Sequence, residues 1–133
     1  MQFVDNYQLK KITTLQIGGP AKKFVAVSSE KELEEAINFA KKNNLDLPAG
    51  RQDFLVIGGG SNLLVNDNGV DCLVIKNEIT GITTSKVGFD SFEVSVKSGT
   101  VLQDLVDFAI SNGLSGLHKL TGIPGTVGGA VFG

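Results

Sequence analysis

Phe54-Leu55-Val56-Ile57-Gly58-Gly59-Gly60-Ser61-Asn62-Leu63-Leu64-Val65 decides how the chain is read, because an apolar run breaks into three glycines, a serine and an asparagine and then resumes. Four apolar residues before the break and three after it predict strand, turn, strand, and nothing downstream starts a helix. Gly58 to Gly60 can take positive φ at no steric cost, so successive N–H groups can converge on an anion such as a phosphate. Ser61 and Asn62 add side-chain donors beside that concavity. Neither a dinucleotide fingerprint nor a P-loop is present, since the first needs a helix under the pyrophosphate and the second needs Gly-Lys-Ser/Thr. Taken by itself the loop reads equally as a glycine-rich hairpin without a ligand.

Working outward, Val70 to Ile75 returns as a strand after the turn residues Asn66-Asp67-Asn68-Gly69. Upstream, Ala49-Gly50-Arg51-Gln52-Asp53 is a polar interruption read as a surface loop, with Arg51 solvated rather than on a phosphate. Before it lies a helix. Ser29 and Glu32 form a capping box, and Leu33, Ala36, Ile37 and Ala40 recur at the spacing of an amphipathic helix. Glutamates crowd its start and Lys41 and Lys42 its end, as the helix dipole favours; Asn43 and Asn44 end it. Phe24 to Val27 precedes it as a short strand, and Gly18-Gly19-Pro20 turns the chain after the weak alternation of Ile12 to Ile17. Met1 to Lys11 reads as a polar lead-in.

The same grammar recurs downstream. Thr80 to Asp90 is polar and ambiguous, then Phe92, Val94 and Val96 alternate with polar residues as a strand with one wet face. Thr100 with Gln103 reads as a second capping box, and Leu102, Leu105, Val106 and Ala109 as a second apolar stripe closing at Asn112-Gly113. Each strand, capping box and helix is followed by a glycine-rich segment. Helices packed on sheet layers, with the two glycine segments facing one cleft, are therefore expected.

The second such segment, Gly122-Ile123-Pro124-Gly125-Thr126-Val127-Gly128-Gly129-Ala130-Val131-Phe132-Gly133, carries no charge. Its glycines and proline suit a backbone held close to a flat, partly apolar object, although a tight structural corner would look alike.

Composition bounds the function. The 133 residues, 41% hydrophobic and 20% charged, allow one domain and one core, and 12 basic against 14 acidic residues give a formal charge of −2. Nucleic acid and anionic membrane are thus not expected as partners. No apolar run approaches a membrane span and Met1 to Asp5 lacks signal-peptide character, so the expected location is cytoplasmic. The one cysteine, Cys72, reads as a small apolar strand residue. His118, the one histidine, reads as a polar residue flanking the second segment. Asp104 and Asp107, three apart on the second helix, read as solvated carboxylates because no His or Cys completes a metal set.

Three runs in this order, Ile17-Gly18-Gly19-Pro20-Ala21, Ile57 to Val65 and Gly122 to Ala130, resemble the bacterial UDP-N-acetylenolpyruvoylglucosamine reductases along nearly the whole chain. The resemblance implies an α/β (α+β) FAD-binding domain of the vanillyl-alcohol-oxidase (PCMH) type, with two small sheet subdomains and packed helices. It implies pyrophosphate contacts from Gly58, Gly59, Gly60, Ser61, Asn62 and Leu63. Flavin-ring contacts are implied from Gly122, Ile123, Pro124, Gly125, Thr126, Val127, Gly128 and Gly129. The implied reaction has NADPH reduce FAD, which then passes hydride to the enolpyruvyl ether of a UDP-sugar in peptidoglycan precursor synthesis. The family pattern continues beyond the position of Gly133, where its proton-donating Ser or Cys, catalytic Arg and catalytic Glu lie. No residue here inherits a catalytic role, and residues 1–133 are expected to be an incomplete FAD-binding domain without the substrate domain, from a fragment or truncated reading frame. Ala49 to Asp53 departs from the family as a short insertion. Another FAD-dependent oxidoreductase of the same fold, acting on a hydroxy acid or alcohol, is the alternative enzyme; a truncated chain with no function is the other.

Overall fold

The structure, a computed structural model, describes residues 1–43 and 54–132. Asn44 as a helix end, the insertion Ala49 to Asp53 with Arg51, and Gly133 lie outside the described residues.

Two of the three longest apolar runs, Phe24 to Val27 and Cys72 to Ile75, make the centre of a four-stranded sheet, and the third, Phe54 to Ile57, one edge. Strands β1 (Val4–Gln8), β2 (Pro20–Val27), β3 (Phe54–Ile57) and β4 (Val70–Asn77) pair in the order β1-β2-β4-β3. β4 runs parallel to both β2 and β3, and β1 is antiparallel to β2. Parallel strands covered on both faces need apolar residues at successive positions. Leu73, Val74 and Ile75 meet that need, all fully buried.

One sheet face receives helix α1 (Glu30–Lys42). Val25, Val27, Leu73 and Ile75 meet Ala36 and Ala40 there, with Leu33 and Ile37 at the margin, as the stripe predicts. Ser29 caps the helix by accepting from Glu32 N at 3.2 Å. The Glu32 carboxylate reaches one residue further back than a capping box requires, accepting from Ser28 N at 2.8 Å and Ser28 Oγ at 3.0 Å. The opposite face buries Phe24, Ile57, Cys72 and Val74 under Leu9, with Leu63 and Val65 packed against them.

The lead-in expectation is overturned: residues 4–8 are an edge strand, followed by a 3-10 turn at Leu9–Lys11. An edge strand with three exposed residues shows little alternation to read, but Phe3 stacks on Phe39 and Tyr7 on Phe24, with ring centroids 4.2 and 4.0 Å apart. The strand expected at Leu63-Leu64-Val65 also fails. Those residues run as irregular chain between two turns, and Leu64 is 79% exposed.

The second layer is a hairpin of β5 (Ile82–Lys86) and β6 (Phe92–Val96), so the ambiguous Thr80–Asp90 stretch contains a strand. Asn77 Nδ2 donates to Ser98 Oγ at 2.7 Å and Gly99 N to Ile79 O at 2.9 Å, tying the end of β4 to the exit of β6. Helix α2 (Leu102–Ser111) then buries Leu102, Leu105, Val106 and Ala109 and ends at Asn112, with Gly113 left-handed at φ +69°. A 3-10 turn (Leu117–Leu120) and a short helix α3 (Val127–Phe132) follow.

Candidate flavin site

The two glycine segments meet. A Cβ built on Gly58 would stand 2.3 Å from Thr126 Oγ1, and one on Gly59 would stand 3.4 Å from Gly125 Cα. Ser61 Oγ donates to Pro124 O at 3.1 Å, joining the turn after β3 to the irregular strap before α3 across 63 residues of sequence. A side chain at Gly58 or Gly59 would fill the seam between them.

Within the first turn only Gly60 is left-handed, at φ +69°, so the expectation of positive φ along Gly58 to Gly60 is corrected. Gly58 is required by close approach instead, whereas a Cβ on Gly59 would only touch Gly125 at ordinary van der Waals distance. Gly60 itself lies against the segment before β2: Thr14 N donates to Gly60 O at 3.1 Å, and a Cβ there would come within 2.1 Å of Ile12 O. Among the described residues, the N–H groups of Gly59, Gly60, Ser61 and Asn62 meet no backbone carbonyl. Unengaged N–H groups on a tight glycine turn are what an anion requires.

The Ile17-Gly18-Gly19-Pro20 motif packs on the end of the second matched run and on the Asn66 to Gly69 turn that follows it: a Cβ on Gly18 would lie 2.6 Å from Val65 Cβ. Gly19 N donates to Asn66 O at 2.9 Å, and a Cβ on Gly19 would lie 2.1 Å from Asp67 O. Thr13, buried, donates from Oγ1 to Ile17 O at 2.9 Å. The first and second matched runs are therefore one packed unit, which spacing alone did not reveal.

The second segment is held by α2. Leu102 N donates to Gly125 O at 3.0 Å and Val127 N to Thr100 O at 2.8 Å, around an isolated bridge of Val101 with Thr126. The expected Thr100–Gln103 capping box is thus corrected. Val101 is the N-cap without a side-chain bond, because the strap's own carbonyl takes the helix's first N–H. Thr100 Oγ1 turns away and accepts from Gly81 N at 3.1 Å. Gln103 Oε1 accepts from Gly122 N at 2.9 Å. With Gly128 N on Ser98 O at 2.8 Å and Gly129 N on Thr126 Oγ1 at 3.3 Å, most of the strap's N–H groups are spent internally. What it offers outward is its backbone surface and the half-exposed Ile123.

The shifted titrations among the described residues fall outside both segments. Ser28's N–H and hydroxyl and the Met1 ammonium hold Glu32 down to about 2, Lys97 lowers Glu30, and burial, followed by Asp71, pushes the Cys72 thiol up. Nor do the described residues contain a cluster of three or more His, Cys, Asp and Glu suited to a metal. His118 is exposed in the 3-10 turn before the strap, its carbonyl accepting from Thr121 Oγ1 at 2.7 Å. Two hollows lie nearby rather than in the seam. One of about 350 Å³ is lined by Gln8, Lys10 and the Gln16 to Pro20 run, and an apolar one of about 130 Å³ runs under Leu63 and Leu64. No helix among the described residues is long and apolar enough to cross a membrane.

A two-sheet α/β domain whose glycine turn and glycine strap meet edge to edge has the build of a flavin-binding module, and a family of such modules matches this chain. The FAD binding domain model covers residues 21–133, and the chain belongs to that family. Its similarities are narrower still. The UDP-N-acetylenolpyruvoylglucosamine reductase of Desulforamulus reducens is 36% identical over 126 residues, spanning 95% of this chain and 38% of its own length. That of Chlamydia abortus is 40% identical over 124 residues, spanning 93% of this chain and 38% of its own. The crystal structure of UDP-N-acetylenolpyruvylglucosamine reductase (MurB) from Thermus caldophilus matches with a TM-score of 0.66 at 36% identity, covering 98% of this chain and 40% of that one. The chain thus spans about two fifths of the length of these relatives.

Proposed function

We propose that this chain is the FAD-holding part of a reductase that converts UDP-N-acetylenolpyruvoylglucosamine to UDP-N-acetylmuramate with NADPH in peptidoglycan precursor synthesis. The observation that carries the reading is the seam in which Gly58 and Gly59 admit Thr126 and Gly125 and Ser61 reaches Pro124. It brings an anion-type turn and an uncharged strap to one place. The names and identities of the relatives support the UDP-sugar substrate and the reductase class, and NADPH as the reductant is taken from the family resemblance.

In this reading Gly58, Gly59, Gly60, Ser61, Asn62 and Leu63 hold the pyrophosphate of FAD. The N–H groups from Gly59 to Asn62, which meet no backbone carbonyl among the described residues, are its donors, and Asn62 adds an exposed amide. Gly122, Ile123, Pro124, Gly125, Thr126, Val127, Gly128 and Gly129 form the wall along the flavin ring, with Ile123 giving it apolar contact. Held there, FAD would supply the hydride chemistry between NADPH and the enolpyruvyl group. This chain's residues bind and orient it and keep that wall dry and uncharged. Proton donation to the substrate and recognition of the UDP-sugar belong to chain outside residues 1–133, which serve as the FAD-binding domain.

The experiment is the visible spectrum of the purified chain followed by titration with FAD. Saturable binding with a protein-perturbed flavin spectrum is the expected result. A folded chain that leaves the spectrum of free FAD unchanged at saturating concentration overturns the reading.

A further inference from the structure

Gln103 stands half-buried on the first turn of α2 with both ends of its side-chain amide engaged. Oε1 accepts from Gly122 N at 2.9 Å, and Nε2 donates to Asp107 Oδ1 at 2.7 Å, one helical turn on. A carboxylate accepts and does not donate, so Asp107 decides which way the amide faces: nitrogen to Asp107, oxygen to Gly122.

The partner is the residue where the strap begins. Gly122 has φ +83°, a left-handed conformation that glycine takes without steric cost. The far end of the strap is fixed by backbone bonds, from Leu102 N to Gly125 O and from Val127 N to Thr100 O. The near end has the turn bond from Ile123 N to Leu120 O at 3.2 Å and the Gln103 side chain. Between these anchors lie Ile123 and Pro124, the latter tied to Ser61. An unanchored near end would let Ile123 and the Pro124 carbonyl drift away from the glycine turn.

From this we infer that Gln103, oriented by Asp107, is a positioning residue that fixes the near end of the strap and thereby sets how tightly the seam takes FAD. The inference rests on the FAD reading above and deepens it. A wall already in place loses less freedom when a flat ligand arrives, so affinity follows the anchor.

Three variants of the 133-residue chain test it. Gln103→Leu removes both bonds. Gln103→Glu keeps an acceptor for Gly122 N but sets it one turn from the Asp107 carboxylate with no donor between the two, so that repulsion turns it off the anchor. Gln103→Glu with Asp107→Asn reverses the polarity, since the new amide donates to the new carboxylate, which still accepts from Gly122 N at unchanged net charge. FAD affinity, read by flavin fluorescence, is expected to fall about fivefold in each single variant and to return to within about twofold in the double one. The Gly122 amide proton shift, measured by NMR without flavin, should move in the single variants and return in the double.

A parent that binds FAD beside single variants of equal affinity overturns this inference and leaves the FAD reading standing. A folded parent that binds no FAD overturns that reading instead. An unmoved Gly122 shift in Gln103→Leu overturns the anchoring step whatever the flavin does. Should Gln103→Leu fail to fold, failure of the double variant to improve on Gln103→Glu is equally fatal.

Discussion

Thr126 Oγ1 occupies the space a side chain on Gly58 would need, 2.3 Å from the place of its Cβ, while also receiving Gly129 N at 3.3 Å as the cap of α3. One hydroxyl therefore serves the seam and the helix together. Gly58→Ala must push Thr126 aside and break that cap. Thr126→Ala alone should cost about 1 kcal/mol, as a lost cap does. The double variant should cost less than the two single losses added, because the atom that clashes is gone. Urea denaturation of the four proteins gives the coupling; strict additivity would mean that the seam yields without strain.

A sharper penalty belongs to glycines whose neighbours are backbone. A Cβ at Gly19 or Gly60 would come within 2.1 Å of a carbonyl oxygen, Asp67 O in one case and Ile12 O in the other. Neither oxygen can rotate away. Gly113 is also left-handed, at φ +69°, but has nothing within 4 Å of the same position. Gly113→Ala should therefore cost only conformational strain, about 1 kcal/mol. Gly19→Ala and Gly60→Ala should cost well above that, about 3 kcal/mol or more, because a clash is added. Thermal and urea midpoints of the three variants check the order.

Those contacts explain what the sequence could and could not yield. The α1 stripe was legible because Ala36 and Ala40 are buried at the spacing helices impose, and β4 was legible because both faces of Leu73 to Ile75 are covered. The stacking of Tyr7 on Phe24 was not, since β1 is an edge strand whose partner begins only at Pro20, past the turns of residues 12–15 and an irregular run at Gly18-Gly19 where the sequence suggested a turn. Thr100 and Gln103 carried a local cap signature, but tertiary partners, Gly81 and Gly122, claimed their side chains. A strand after Gly60 was expected from three apolar residues. Only three separate Asn62 from the Asn66 turn, and Leu63 and Val65 were more useful as cover for the sheet. The glycine segments were visible as segments; that Gly58 needs Thr126's space was visible only in three dimensions.

Acid should loosen the start of α1. Ser28 and the Met1 ammonium, 3.2 Å away, depress the Glu32 carboxyl from 4.5 to about 2, and Lys97 lowers Glu30. A carboxyl with a folded pKa below its unfolded one contributes stability that is present above the unfolded value and lost as pH falls toward the folded one. The window for Glu32 therefore runs from about 4.5 down to about 2. Glu32→Gln should be less stable than the parent at pH 7 and should lose less on acidification through that window. Denaturant midpoints across the range decide; parallel curves for the two proteins would remove Glu32 from the acid response.

Ser61 and Asn62 divide the work of the turn. The Ser61 hydroxyl donates to Pro124 O, so its proton is committed to the strap, whereas Asn62 is exposed with its side-chain amide open to a ligand. Asn62→Ala should weaken FAD by removing a donor to a charged group, and Ser61→Ala by releasing the strap from the turn. Because the losses arise at different atoms, the double variant should be weaker than either, by about tenfold to a hundredfold relative to the parent. Asn62→Ala should leave the stability of the free protein within about 0.5 kcal/mol, as an exposed side chain does. Ser61→Ala should lower it modestly through the lost tie. FAD titration together with urea denaturation separates the two effects, and unchanged FAD affinity in the double variant would remove the pyrophosphate from this turn.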